Sequence, residues 1–355
     1  MDRADASSDT LQAVRSPTAL RAAGGIGRTA AVYLGLLLLL LTAAWLALTV
    51  GHADLADRSL RATVLSLRVD RLLAGGITGA SLSVAGVVVQ GLFRNPLASP
   101  SIIGTTAGAS FGGQAAMILY QFALVGVVPA ALPPQLFLPL GCLLGALLSL
   151  VILLAIARQH GDLVLLLLTG FILSSFFLGL GNFLMSLAQE QWELGRAMVA
   201  FVLGGLSGTG QLMLRLSAPL FAAGVLAAWF WGRALDLLLS GEDEARSLGL
   251  DVVAVRRWCV IWIATLTGAA VSLGGNIGFV GLVVPHALRA LLGVEHRRLL
   301  PAAALGGAAF VILCDVAARA IPARSEIPLG VVTGLLGAPI FLAILLRTWR
   351  RGEHV

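Results

Sequence analysis

An all-α polytopic membrane protein is the fold class this sequence predicts, and three observations predict it. Apolar residues make up 58% of the 355 residues and charged ones only 12%, and the mean hydropathy of +0.94 is far outside the range of a soluble domain. The apolar residues come in long blocks from Thr29 to Leu346, and the charged residues gather in the short joints between them. Most blocks approach the roughly 20 apolar residues that cross a hydrocarbon core.

Ten spans follow in order: Thr29–Val50, Leu72–Leu92, Ile102–Phe122, Leu136–Ala157, Leu163–Leu184, Leu214–Trp231, Trp258–Gly274, Phe279–Leu292, Leu299–Ala318 and Leu329–Leu346. The eighth is the weakest because Pro285, His286 and Arg289 interrupt it. Residues 1–28 read as a polar cytoplasmic tail, 29–346 as the membrane domain and 347–355 as a second cytoplasmic tail. Ten crossings place both termini on one side. Arginines concentrate at the joints on that side, such as Arg94, Arg158, Arg233, Arg297 and Arg298, which makes it the cytoplasmic one. Glycines four apart, at Gly75/Gly79, Gly141/Gly145 and Gly330/Gly334, suit close helix packing in lipid, where no hydrophobic drive acts between helices.

Composition also excludes functions. The 24 basic residues are all arginine, so the chain has no P-loop lysine and no Schiff-base lysine. Any ATPase must be a different chain. The net charge of +6 is spread over many joints, against nucleic-acid binding. Cys142, Cys259 and Cys314 lie inside apolar blocks without ligand spacing and read as small core residues. No HExxH is present and no Ser/His pair is suggested by spacing, which counts against an intramembrane enzyme. An ion-coupled secondary transporter would need ionisable groups near the midplane, and the spans are nearly free of them.

The joints carry the information. Arg68 and Arg71 are three apart at the start of the second span and share a helix face; they fit either headgroup anchors or bidentate partners for carboxylates. Arg94–Pro100 breaks the chain before Gly104, Thr105, Thr106 and Gly108, as broken helices do beside cavities or at plain turns. Between spans six and seven, Ser240 with Asp243 makes a capping-box-like start, Glu242, Asp243 and Glu244 suit a helix N-terminus, and Gly249 suits a stop. A short cytosolic helix over Gly241–Leu248 is predicted, of the kind that serves docking. His286, without a second ligand at metal spacing, reads as a hydrogen-bonded structural histidine. Asp315, an acid inside an apolar block, costs about 2.5–3.5 kcal/mol on insertion scales and is expected to pair with Arg319, four residues on.

Taken together, Leu67–Arg71, Gln90–Pro100, Ala245–Gly249, Gly278–His286, His296–Pro301 and Glu326–Pro339 resemble the permease subunits of bacterial type II ABC importers, which are the iron-chelate, heme and vitamin B12 permeases. The resemblance runs in order from Leu67 to Leu346. It implies an inner-membrane homodimer of ten-helix permeases with no covalent chemistry and no cofactor of its own. The implied partners are two copies of a cytoplasmic ATPase that uses ATP and Mg²⁺, a periplasmic binding protein, and membrane lipid. It further implies docking of the binding protein at Arg68, Arg71 and Arg319. The segment Ser240–Gly249, with Gly241, Glu242, Glu244, Ala245, Arg246 and Leu248, matches the coupling helix that enters a cleft of the ATPase. Residues matching the pathway lining on the dimer axis include Gly104, Thr105, Thr106, Gly108, Phe171, Ser174 and Ser175. Two positions depart from the family pattern: Asp70 stands where proline is usual, and Phe201 where tryptophan is. The cargo is expected to be a chelate, with heme favoured over a ferric siderophore and vitamin B12 as the alternative.

Overall fold

The computed structural model describes residues 17–51, 61–124, 134–157, 163–321 and 326–350. Within them every regular element is helical: α1 Pro17–Thr49, α2 Arg61–Leu92, α3 Thr105–Leu119, α4 Phe137–Ala157, α5 Leu163–Ala188, α6 Trp192–Leu203, α7 Gln211–Leu239, α8 Glu242–Ser247, α9 Val252–Gly274, α10 Val280–Leu292, α11 His296–Ala320 and α12 Leu329–Arg350. The expected N-terminal tail falls mostly on residues 1–16, outside the described residues, and the helix that follows already begins at Pro17.

Ten of these helices overlie the ten apolar blocks. By length and composition, seven helices among the described residues are suited to cross a membrane: those ending at Thr49, Leu92, Ile156, Ala188, Leu239, Gly274 and Ala320. The helices α3 and α10 have only 15 and 13 residues, and the apolar part of α12, Leu329–Ile344, is also short. Short and broken helices at membrane depth are tolerated where protein surrounds them. Helix α10 is so placed, with Val280 to Pro285 all buried.

The core is organised around α2, which packs against α11, α9, α7 and α10 and buries every residue from Thr78 to Leu92. Small residues make this possible. A Cβ placed on Gly79 would lie 2.1 Å from the Gly307 carbonyl oxygen, and one on Gly86 2.0 Å from that of Gly281. The α3–α4 pair closes in the same way, Gly108 and Gly112 lying against Gly145 and Gly141. Of the three glycine pairs expected to pack, Gly141/Gly145 does so throughout. Gly334 instead meets nothing within 4 Å, while Gly330 abuts the Leu203 carbonyl.

The 12-residue helix α6 was not among the expected elements. It ends at a backbone junction where Gly205 N–H donates to Gly274 O at 2.9 Å, Leu329 N–H to Gly204 O at 2.9 Å, and Asn276 N–H to Phe201 O at 3.3 Å. The ends of α6 and α9 and the start of α12 are thereby tied. Only glycine permits this approach, since a Cβ on Gly275, at φ +68°, would stand 2.2 Å from the Phe201 carbonyl oxygen. The Phe201 ring itself packs against Gly113 of α3.

Cys142, Cys259 and Cys314 are buried and unpaired, on α4, α9 and α11. His286 corrects the expectation of a hydrogen-bonded histidine. Its Nδ1 is buried without a hydrogen-bond partner among the described residues, and its part-exposed ring meets Phe341 edge-on at 6.1 Å.

Candidate functional site

Three groups of residues stand out. The first is an ionic cluster at the start of α2 and the end of α11. Asp315 is 3% exposed, and its carboxylate accepts from Arg71 Nε at 2.9 Å and pairs with Arg319 Nε at 3.1 Å. The expected Asp315–Arg319 pair is therefore present, with Arg71 as a second cation. Arg71 Nη1 also donates to both oxygens of Glu326 at 3.0 Å. The acids on Arg71 are thus Asp315 and Glu326, from the far end of the chain, and not its neighbour Asp70.

Arg68 and Arg319 do a further job. Arg68 Nη1 donates to the carbonyls of Leu48 and Thr49 at 2.6 and 3.2 Å, and Arg319 Nη1 to that of Val50 at 3.0 Å. The last carbonyls of α1 have no partner within the helix, and cations at a helix C-terminus also complement its dipole. Both arginines are under a tenth exposed, so the three candidate docking residues are packed and paired within the chain. They still reach a recess of about 220 Å³ that Arg68, Arg71, Arg319, Gly51 and half-exposed Glu326 line. Among the described residues, three arginines against Glu326 and buried Asp315 leave this recess positive.

The second group is α8. The predicted helix forms, one residue shorter at each end than Gly241–Leu248. The capping-box reading of Ser240 is corrected, because Ser240 instead terminates α7 in a helical conformation and Gly241, at φ +124°, stands at the α8 N-cap without a side-chain hydrogen bond. The chain then turns at Gly249, φ +85°, with Leu250 N–H returning to Ala245 O at 3.0 Å. Asp251 caps α9 by accepting from Ala254 N–H at 3.0 Å. Ala245 is buried, Leu248 is 67% exposed, and Glu244 and Arg246 also face outward. Glu242 fixes the angle of α8 to α9 through Arg256 at 2.5 Å.

A joint missed in the sequence lies beside it. Asp236, one turn before the end of α7, accepts at 2.9 Å from the backbone N–H of His296 and at 2.6 Å from its Nδ1. It therefore serves the N-terminus of α11 as a side-chain acceptor. The signal was an acid near the end of a long apolar helix, but nothing marked the partner.

The third group, the candidate pathway residues, is divided by the structure. On α5, Phe171 is 65% exposed and Ser175 lies on the same open face. Ser174 turns inward and donates to Gly170 O at 2.8 Å. On α3, Gly104, Thr105, Thr106 and Gly108 are buried. Gly108 is fitted against the α4 backbone, and the Thr105 and Thr106 hydroxyls have no hydrogen-bond partner among the described residues. Within the single chain the α3 residues serve packing, and α5 and α12 are among the helices that present open apolar faces, with α1, α4 and α7.

Residues 30–347 match the FecCD transport family. The chain belongs to that family. FecCD proteins are permeases of type II ABC importers of the iron-chelate, heme and vitamin B12 group, and this one is a multi-pass inner-membrane protein. Among its FecCD relatives, the cobalamin import permease BtuC of Halobacterium salinarum is 37% identical, over 85% of this chain and 79% of that protein. The hemin transport permease HmuU of Yersinia pestis is 36% identical, over 80% of this chain and 83% of that protein. A solved inward-facing structure of an ABC transporter of the metal-chelate type superposes with a TM-score of 0.75 at 31% identity, covering 90% of this chain and 99% of that one.

Proposed function

We propose that this FecCD protein is a homodimeric, ten-span permease with both termini in the cytoplasm. It passes an iron chelate, heme in preference to a ferric siderophore, from a periplasmic binding protein to the cytoplasm. The observation that carries the reading is α8, an acidic-capped helix held by Glu242–Arg256 between two long apolar helices and presenting exposed Leu248. Such a helix gives a separate ATPase a rigid handle. Closure of two ATPase copies on ATP would rock two permeases between outward and inward states, which is alternating access by population shift. The exposed α5 and α12 faces are the surfaces for the second copy and for a pathway on the axis between them.

Strain at Gly241 tests the coupling. A side chain there is forced into a left-handed conformation costing about 1–3 kcal/mol, and every 1.4 kcal/mol is about tenfold in an equilibrium. Gly241→Val in proteoliposomes with the ATPase and binding protein is expected to keep ATP hydrolysis and lose uptake about tenfold or more. Normal coupled uptake would refute the handle.

The recess formed by Arg68, Arg71 and Arg319 is the proposed landing point for carboxylates of the binding protein. Arg71→Glu with Arg319→Glu is expected to weaken capture and also to lower thermal stability, because both partners of buried Asp315 are lost. Glu326→Gln is the gentler probe, because it removes a half-exposed competing carboxylate. Surface ion pairs are worth about 0.2–1 kcal/mol, so docking should tighten by up to about fivefold at low salt. Affinity that is unchanged in both variants would remove docking from this recess.

The heme preference rests on the apolar and aromatic α5 face, where Phe171, Phe176 and Phe183 are each more than half exposed. Such a face suits a flat macrocycle that must not be trapped. Vitamin B12 is the second reading, favoured by the cobalamin permease among the relatives. The absorption spectrum of the loaded binding protein separates them: a Soret band means heme, and a corrinoid spectrum means vitamin B12.

A further inference from the structure

We infer that the groove between the inner halves of α4 and α9 is a binding site for an anionic phospholipid of the cytoplasmic leaflet. The groove encloses about 530 Å³, within the ~300–1,000 Å³ typical of small-molecule sites. The two helices are in contact where Gly268 meets the Leu143 backbone, a Cβ there lying 2.8 Å from the Leu143 Cα. Beyond that point, toward the inner end, Leu147, Val151 and Leu154 of α4 and Val260 and Ile261 of α9 form two apolar walls. Arg256 and Arg257 line the same groove, both just over one turn into α9. One end of the groove is therefore cationic and the rest is hydrocarbon-like.

That polarity matches one occupant. A phosphodiester headgroup would sit on the guanidinium groups, and arginine is suited to bidentate contact with phosphate. One acyl chain would run along the apolar walls. Basic pockets between membrane helices on the cytoplasmic side hold acidic headgroups in this way. The depth also agrees, because Trp258 is 43% exposed and stacks on Trp262 at 6.2 Å, and tryptophan marks the headgroup level of membrane proteins. Arg256 is already paired with Glu242 of α8, while exposed Arg257 has no ion pair among the described residues. Arg257 is therefore the headgroup residue. A phosphate at this end also meets the cation that positions α8, and so bears on the angle of the coupling helix.

Naming the leaflet rests on the cytoplasmic placement of α8 proposed above; the binding measurement does not. The permease is purified in detergent and exchanged with palmitoyl-oleoyl phosphatidylglycerol or the matching phosphatidylcholine, and retained lipid is counted by native mass spectrometry. Selective retention of the glycerol lipid is expected. Arg257→Gln should lower it about fivefold, at ~1 kcal/mol per basic residue near the headgroups, and Val151→Trp, which fills the wall, should lower retention of both lipids. Equal retention of the two lipids, or retention that neither variant alters, overturns the site. So does a disulfide between Val151→Cys copies, which would show the groove covered by the second subunit, or displacement of the lipid by millimolar inorganic phosphate alone. Loss of coupling in Gly241→Val with lipid retention unchanged separates this site from the handle function of α8.

Discussion

Asp315→Ala is expected to destabilise the permease by about 3–5 kcal/mol, the cost of removing one partner from a buried ion pair and leaving the other charge uncompensated. The Asp315 side chain is 4% exposed and that of Arg319 8%, so water offers little relief. Arg319 loses its carboxylate, and Arg71 keeps only half-exposed Glu326. Arg319 also holds the end of α1 through Val50, and a displaced guanidinium would release that cap. Thermal unfolding in detergent should show the loss. The same measurement on Asp315→Ala with Arg319→Leu should recover part of it, because removing both charges of a buried pair costs far less than removing one. A double variant less stable than the single one would show that the cluster does not act as a charge pair.

Gly86→Ala is expected to be as damaging, though it adds only one methyl group. The Cβ would stand 2.0 Å from the carbonyl oxygen of Gly281, and both atoms belong to backbone, so no rotamer change relieves the contact. Helix α10 must move away from α2. Overpacking a close-packed interior costs about 1–3 kcal/mol, occasionally more, and this site belongs at the upper end. Gly35→Ala on α1, where nothing lies within 4 Å, is the matched control and should unfold like the parent. A Gly86→Ala protein as stable as the control would mean that the two helices do not cross at these glycines.

The sequence made the long helices legible because a membrane span announces itself by its own apolar run. The short elements were not legible in that way. Helix α6 has 12 residues and sits in a joint whose charges, Glu193 and Arg196, look like loop composition. Helix α8 was legible from its acidic first turn and Gly249, yet the cap was misassigned because α7 continues to Leu239 and uses Ser240 for its own ending. In the ionic cluster, Asp315 and Arg319 could be paired from a spacing of four. The bonds of Arg71 to Asp315 and Glu326 span 244 and 255 residues, and that of Asp236 to His296 spans 60. No local periodicity encodes such distances; they follow only once α2, α7 and α11 lie side by side. The α3 residues show the opposite limit. Gly, Thr and Ala suit both a cavity wall and a tight crossing, and the contact of Gly108 with the α4 backbone selects the crossing.

Helix α11 begins at His296, gripped by Asp236 near the end of α7, and ends with Arg319, paired to buried Asp315, at the recess at the opposite end. Its 25 residues make a rod of about 37 Å at 1.5 Å per residue. A single stiff element thus has one foot at each proposed partner. Where two ligands act on one body, each must alter the other's affinity by the same factor. Landing of a cargo carrier outside and nucleotide state inside are then two readings of the position of one rod, and an ATP analogue that locks the ATPase should change carrier affinity by the factor with which the carrier changes nucleotide affinity.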